Sequence, residues 1–255
     1  MIDSHVHLDD AKFDYDRENL IENLKEHGLD RVYNIGADLK SSIASVELAD
    51  KYEIIKAVIG IHPHAASEYN QEVEDKLIEL AKNENVRAIG EIGLDYYYDN
   101  SPRDIQVQVF KKQIELANKL KLPIVVHSRE AAKETFDIIS SYKEKYKDLK
   151  FLIHCFSQSV EMMREYVKMG CYIALGGVVT FKNSKVPKEV AKEVPLENLL
   201  LETDCPYLAP EPMRGKRNEP MFIKYSAQKI AEIRGISLEE LLKATDENTR
   251  RFYND

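Results

Sequence analysis

The chain has 255 residues, 44% hydrophobic and 31% charged, with a formal net charge of −8. That length and apolar content fill one substantial core, and the acidic balance excludes a protein that coats nucleic acid through a broad basic face. The apolar runs are too short to cross a bilayer and the N-terminal stretch is polar. Three cysteines (Cys155, Cys171, Cys205) without a C-x-x-C pair suit a reducing compartment. A soluble, cytoplasmic, monomeric protein is expected.

Apolar β-branched runs alternate with helical periodicity along the chain. The first strand, Ile2–His5, leads to a helix at Arg17–His27, closed by Gly28 in the left-handed C-terminal position. A strand at Arg31–Ile35 precedes the helix Ser41–Lys51, and Ile55–Ile61 precedes Glu72–Lys82. The strand Arg87–Ile92 is followed by Arg103–Leu120, and Pro123–His127 by Glu130–Tyr146. Phe151–Cys155 leads to Ser159–Met169, which Gly170 closes. Cys171–Leu175 leads to Lys188–Glu193, and Leu199–Thr203 is the last strand. Two helices follow it, Pro220–Arg234 with Asn218 as N-cap and Leu238–Phe252 with Ser237 as N-cap.

Strict strand–helix alternation, with no linker or charge block dividing it, predicts an α/β protein. The expected fold is a single-domain (β/α)8 TIM barrel over residues 1–255 with a C-terminal helical extension. An open doubly wound sheet is the alternative, but no glycine-rich dinucleotide fingerprint follows the first strand.

Barrel chemistry sits at the C-terminal ends of the strands. Those positions hold His5 and His7, His62 and His64, Glu91, His127, His154 and Asp204, so six of the chain's 7 histidines collect there. Only His27, in a last helical turn, falls outside the set. His5 and His7 are two residues apart on one strand, so their rings leave the same side. Imidazoles with carboxylates and no thiolate suit Zn, Mn, Fe or Co, and Mg where water completes the shell. One metal is expected on His5, His7, Glu91 and Asp204, and a second on Glu91, His127 and His154, with the Glu91 carboxylate shared. A water between two cations becomes a ready nucleophile, and Asp204 would orient it or take its proton.

The motifs His5-x-His7, Gly60-Ile61-His62-Pro63-His64, Gly90-Glu91-Ile92-Gly93-Leu94-Asp95, His127-Ser128-Arg129, His154-Cys155-Phe156 and Glu202-Thr203-Asp204 resemble those of the TatD family of metal-dependent hydrolases. Tyr207-Leu208-Ala209-Pro210 and Arg214-Gly215-Lys216-Arg217-Asn218-Glu219-Pro220 extend the resemblance over essentially the whole chain. It implies a barrel of the amidohydrolase superfamily, two divalent metals (Mg, Mn or Zn), and hydrolysis of DNA phosphodiester bonds from the 3′ end. His5, His7, Glu91, His127, His154 and Asp204 fall on the family's metal-ligand positions. Cys205 stands where the family usually has Ser or Ala, and Gln158 where Gly is frequent; neither removes a ligand.

Other residues bear on substrate. Arg129 would bind phosphate through its planar fork or pair with Glu202, which faces the same way as Asp204 and buttresses the site. His62 and His64 would donate to phosphate oxygens. Arg214, Lys216, Arg217 and Asn218 concentrate positive charge and donors beside Asp204, with Arg214, Arg217 and Asn218 as phosphate contacts. Tyr96, Tyr97 and Tyr98 follow the Glu91 strand, where aromatics stack on unpaired bases while at least one packs beneath the loop. Cys155 and Cys171 read as small core residues facing the helix layer. DNA ends, single-stranded or frayed, are the expected substrate. A metal-dependent ester, amide or lactone hydrolase, such as a D-aminoacyl-tRNA deacylase, is the alternative.

Overall fold

A computed structural model describes residues 1–255. Eight strands succeed one another in a single sheet in the order β1 to β8. They are β1 (Ile2–Val6), β2 (Arg31–Ile35), β3 (Ile55–Ile59), β4 (Val86–Asp95), β5 (Ile124–Arg129), β6 (Phe151–Ile153), β7 (Tyr172–Leu175) and β8 (Leu199–Leu201). Between them come α1 (Arg17–Glu22), α2 (Leu39–Lys51), α3 (Gln71–Leu80), α4 (Arg103–Leu120), α5 (Ala132–Lys145), α6 (Val160–Lys168) and α7 (Lys185–Glu193); α8 (Ile223–Arg234) and α9 (Leu238–Tyr253) follow β8. The fold is the expected (β/α)8 TIM barrel with a C-terminal helical extension. Strands of such a sheet are covered on both faces, which is why β6 and β8 are apolar and buried throughout.

Chain contacts divide the protein into two compact units, one made of Met1–Asn34 with Cys155–Asp255 and the other of Ile35–His154. In the first, β1 pairs in parallel with β2 and β7 with β8, and a bridge between Val6 and Cys205 ties the end of β1 to the chain beyond β8. Helix α9 closes on these strands. The Tyr253 ring stacks on Tyr33 with centroids 3.6 Å apart, and its hydroxyl donates to the Ser4 carbonyl at 2.8 Å.

In the second unit β3 to β6 pair in parallel, and the register of β4 shifts between Ile89 and Ile92. Such an irregularity re-aims side chains, and Glu91 lies inside it. Two buried glutamines of α4 hold the strand exits. Gln113 accepts from the Ile61 N–H at 2.8 Å and donates to the Ile61 carbonyl at 2.9 Å. Gln106 accepts from the Asp95 N–H at 2.8 Å and donates to the Asp95 and Ser101 carbonyls.

Several expected boundaries move. Helix α1 stops at Glu22 because Asn23 Nδ2 donates to the Asn19 carbonyl at 2.7 Å, a local bond that competes with further helix. His27 therefore sits exposed in the turns that follow, while Gly28 and Gly170 do adopt φ of 80° and 76°. Ser237 caps α9 through the Glu240 N–H. Asn218 is not an N-cap: its amide donates backward, to the Thr203 and Tyr207 carbonyls. β6 ends at Ile153, so strand alternation no longer governs Cys155, which is half-buried with φ of 45°. Cys171 is fully buried, as expected. No helix is long and apolar enough to cross a membrane.

Candidate functional site

In the first unit the ends of β1 and β8 are fastened before any ligand is considered. Asp3, fully buried, accepts from the N–H groups of His5 and Thr203 and from the Thr203 hydroxyl; burial outweighs those bonds and pushes its carboxyl up to about 8. Beyond it, the Asp204 N–H donates to the His5 carbonyl at 3.0 Å and the His7 N–H to the Cys205 carbonyl at 2.8 Å. These bonds bring three ligand atoms together. His5 Nε2 and His7 Nε2 are 3.2 Å apart, and Asp204 Oδ1 lies 3.8 and 3.5 Å from them. Atoms bonded to one cation at about 2.0–2.2 Å stand at such spacings, and imidazoles with a carboxylate are a donor set that divalent ions accept. Glu202, buried behind them, takes the Cys155 N–H at 2.7 Å.

The second unit carries another group. Glu91 Oε1 lies 2.7 Å from His127 Nδ1, 3.3 Å from His154 Nε2 and 3.7 Å from His62 Nε2. His127 is placed by Gly93 opposite it in the register. A Cβ on Gly93, whose φ is 148°, would stand 1.9 Å from the His127 carbonyl oxygen, so only glycine fits.

Two of these histidines have contrasting surroundings. His62 Nδ1 accepts the His64 N–H at 3.1 Å, and burial, followed by repulsion from His127, holds the ring neutral. A neutral ring accepting at Nδ1 carries its proton at Nε2. His62 Nε2 thus faces Glu91 at 3.7 Å, in a group with His127 whose atoms lie close enough to share a cation. Around His127 burial disfavours charge, yet the hydrogen bonds it donates to Asp95 and Glu91 outweigh it and raise the imidazole's pKa. The arrangement suits a cation, which would replace the Nδ1 proton while Nε2–H stays on Asp95.

Asp95 is the residue that spacing did not single out. It is fully buried at the end of β4, and its Oδ2 meets His127 Nε2 at 3.0 Å and His64 Nε2 at 2.9 Å. Burial opposes its charge, but bonds from His127, the Tyr98 N–H and His64 hold the carboxyl well below the usual range. Its signal was present: Glu91, Gly93 and Asp95 share the parity of one strand face.

The expected substrate residues separate. Arg217 is occupied: it forms a two-point pair with Asp16, both contacts at 2.7 Å, and meets Glu219 at 3.0 Å. Asn218 is fully buried with both amide hydrogens and its oxygen bonded to backbone. Neither offers a donor to a substrate, and both instead shape the loop beyond β8. Arg214 is exposed, its guanidinium 3.9 Å from the Phe181 ring centre. Arg129 is exposed at the end of β5, over Tyr97 and Tyr98. His64 keeps 36% of its side chain accessible.

Histidine and carboxylate groups at the strand ends of a (β/α)8 fold define a class, the barrel hydrolases that work with divalent metal. Comparison with known proteins agrees. The chain is 44% identical over 254 residues to the metal-dependent hydrolase YabD of Bacillus subtilis (strain 168), covering 99% of this chain and 98% of that one. It is 32% identical over 260 residues to the 3′-5′ ssDNA/RNA exonuclease TatD of Rahnella sp. (strain Y9602), covering 99% and 98%. The crystal structure of YjjV, a TatD homolog from Escherichia coli K12, superposes with a TM-score of 0.92 at 25% identity, covering 100% and 98%. The TatD related DNase family matches residues 2–254, and the chain belongs to that family as a metal-dependent hydrolase.

Proposed function

We propose that this chain is a divalent-metal-dependent phosphodiesterase that removes nucleotides from the 3′ end of single-stranded or frayed DNA, residues 1–255 acting as one domain. The observation that carries the reading is the division of labour among the histidines. His5, His7, His127 and His154 present ring nitrogens beside carboxylates, whereas His62 is a neutral ring facing Glu91. A site needs donors of that second kind where a phosphate gathers charge.

In this proposal His5, His7 and Asp204 hold one cation and Glu91, His127 and His154 another, with Mg, Mn and Zn as candidates. Glu91 would serve both, since a carboxylate has two oxygens to give. The cations, when bound, acidify water and neutralise charge on the phosphate. Asp204 orients the attacking water toward phosphorus and takes its proton at a carboxylate oxygen as the new P–O bond forms and the P–O3′ bond breaks, and that proton passes on to the departing 3′ oxygen. His62 Nε2–H and the open edge of His64 hold the non-bridging oxygens, and Arg129 and Arg214 receive the strand's outer phosphates. The similar exonuclease from Rahnella supports the polarity.

The test is cleavage of an end-labelled single strand by metal-stripped protein to which Mg, Mn or Zn is restored singly, with Asp204→Asn in parallel. A metal-dependent ladder shortening from the 3′ end, lost in the variant, supports the reading. DNA left intact by protein that binds metal stoichiometrically overturns it and moves attention to ester, lactone and aminoacyl-tRNA substrates.

A further inference from the structure

Beyond β4 the chain leaves the sheet as three successive tyrosines that behave differently. Tyr96 is tied down, its hydroxyl donating to Glu134 at 2.6 Å and its ring covered by Arg103 at 4.4 Å. Tyr97 and Tyr98 are 59% and 54% exposed. Their rings meet edge to face with centroids 5.0 Å apart, and the Arg129 guanidinium lies 4.2 and 4.8 Å from the two centroids. Exposed rings on a slack loop would mean little, but this pair is anchored. Asp95 Oδ1 accepts the N–H groups of both tyrosines, at 3.0 and 2.9 Å. The other oxygen of the same carboxylate meets His127 and His64, and the Tyr98 ring lies 5.3 Å from that of His64. One buried carboxylate thus fixes the backbone of two accessible tyrosines beside His64.

We propose that Tyr97, Tyr98 and Arg129 form a stacking subsite for an unpaired nucleobase of the DNA strand, with the N–H edge of Arg129 on the adjacent phosphate. The subsite rests on the nuclease reading and supplies what that reading lacks, a reason to prefer unpaired ends. A base inside a duplex has both faces covered by its neighbours, while a terminal unpaired base has a face free for Tyr97 or Tyr98. Arg129 suits the role because a guanidinium stacks on rings through its face and bonds phosphate through its edge.

The experiment measures binding of a fluorescein-labelled, cleavage-resistant phosphorothioate strand to full-length metal-loaded protein. A matched strand with abasic sites in its last 3′ nucleotides is compared. Wild type is expected to bind the abasic strand about ten- to a hundred-fold more weakly. Tyr97→Ala/Tyr98→Ala should bind both strands equally and weakly, Tyr97→Phe/Tyr98→Phe should restore the preference, and Arg129→Ala should weaken both strands alike. Equal binding of the two strands by wild type, or a preference that survives in the alanine variant, overturns the subsite. Because binding is read without cleavage, that failure is distinct from failure of the nuclease reading, which shows as intact DNA in the metal-restoration assay. A preference for the intact strand that appears only with RNA would overturn the assignment to DNA.

Discussion

Asp95 shows how one side chain can organise a site without touching a substrate. It orders the His127 ring, the His64 ring and two backbone N–H groups at once. Asp95→Asn should weaken cation binding at the Glu91, His127 and His154 group by about 10- to 100-fold, while the His5, His7 and Asp204 group keeps its affinity; two-site calorimetric titration reads both. Equal loss at both groups would point to general damage. Arg217 makes the opposite point. Its motif reads as a phosphate-binding run, but its partner Asp16 stands 201 positions earlier, where no spacing argument reaches. Arg217→Ala should cost about 2 kcal/mol at neutral pH. The hydrogen bond from Arg217 lowers the Asp16 pKa, so the pair contributes fully above the ordinary carboxylate value of about 3.9. It fades as pH falls through the lower folded value. Urea melts at pH 7 and below pH 3 should therefore show the gap between variant and wild type narrowing in acid; a gap that widens sinks the account.

At the scale of elements, the ligand-bearing strands were legible because parallel strands covered on both faces must be apolar and short. β2 and α4 lie at their predicted bounds. What escaped was the scaffolding between elements. Gln106 and Gln113 lie on the face of α4 that also buries Val109, Phe110 and Ile114, and a polar residue in an apolar stripe gives its position but not its partner. Gln113 holds both the N–H and the carbonyl of Ile61, the residue before His62. Gln113→Leu strands both groups and should cost about 2–4 kcal/mol. Chemical denaturation measures it, and a change below about 0.5 kcal/mol would show that the exit of β3 holds itself.

For the whole molecule, charge sets the manner of binding. A formal net charge of −8 repels a polyanion at long range, so a strand is held by a few local contacts such as Arg129 and Arg214. Each phosphate contact contributes about −0.7 to the slope of log K against log salt for a single strand. The slope should stay shallower than about −2, and anisotropy titrations between about 50 and 300 mM salt would expose a hidden basic face as a slope beyond about −4.

The first unit draws on both ends of the chain. Ile2 donates to Asp246, Ser4 accepts from Tyr253, and Arg31 and Tyr33 both meet Asp255. During synthesis His5 and His7 leave the ribosome before Glu91, His127 and His154. Their strand nevertheless waits for Asp204, Asp246 and Tyr253 to be made, while the Glu91 group has all its residues by His154. The ligands translated earliest are the last to be seated, and a chain that stops short carries one group complete and the other open.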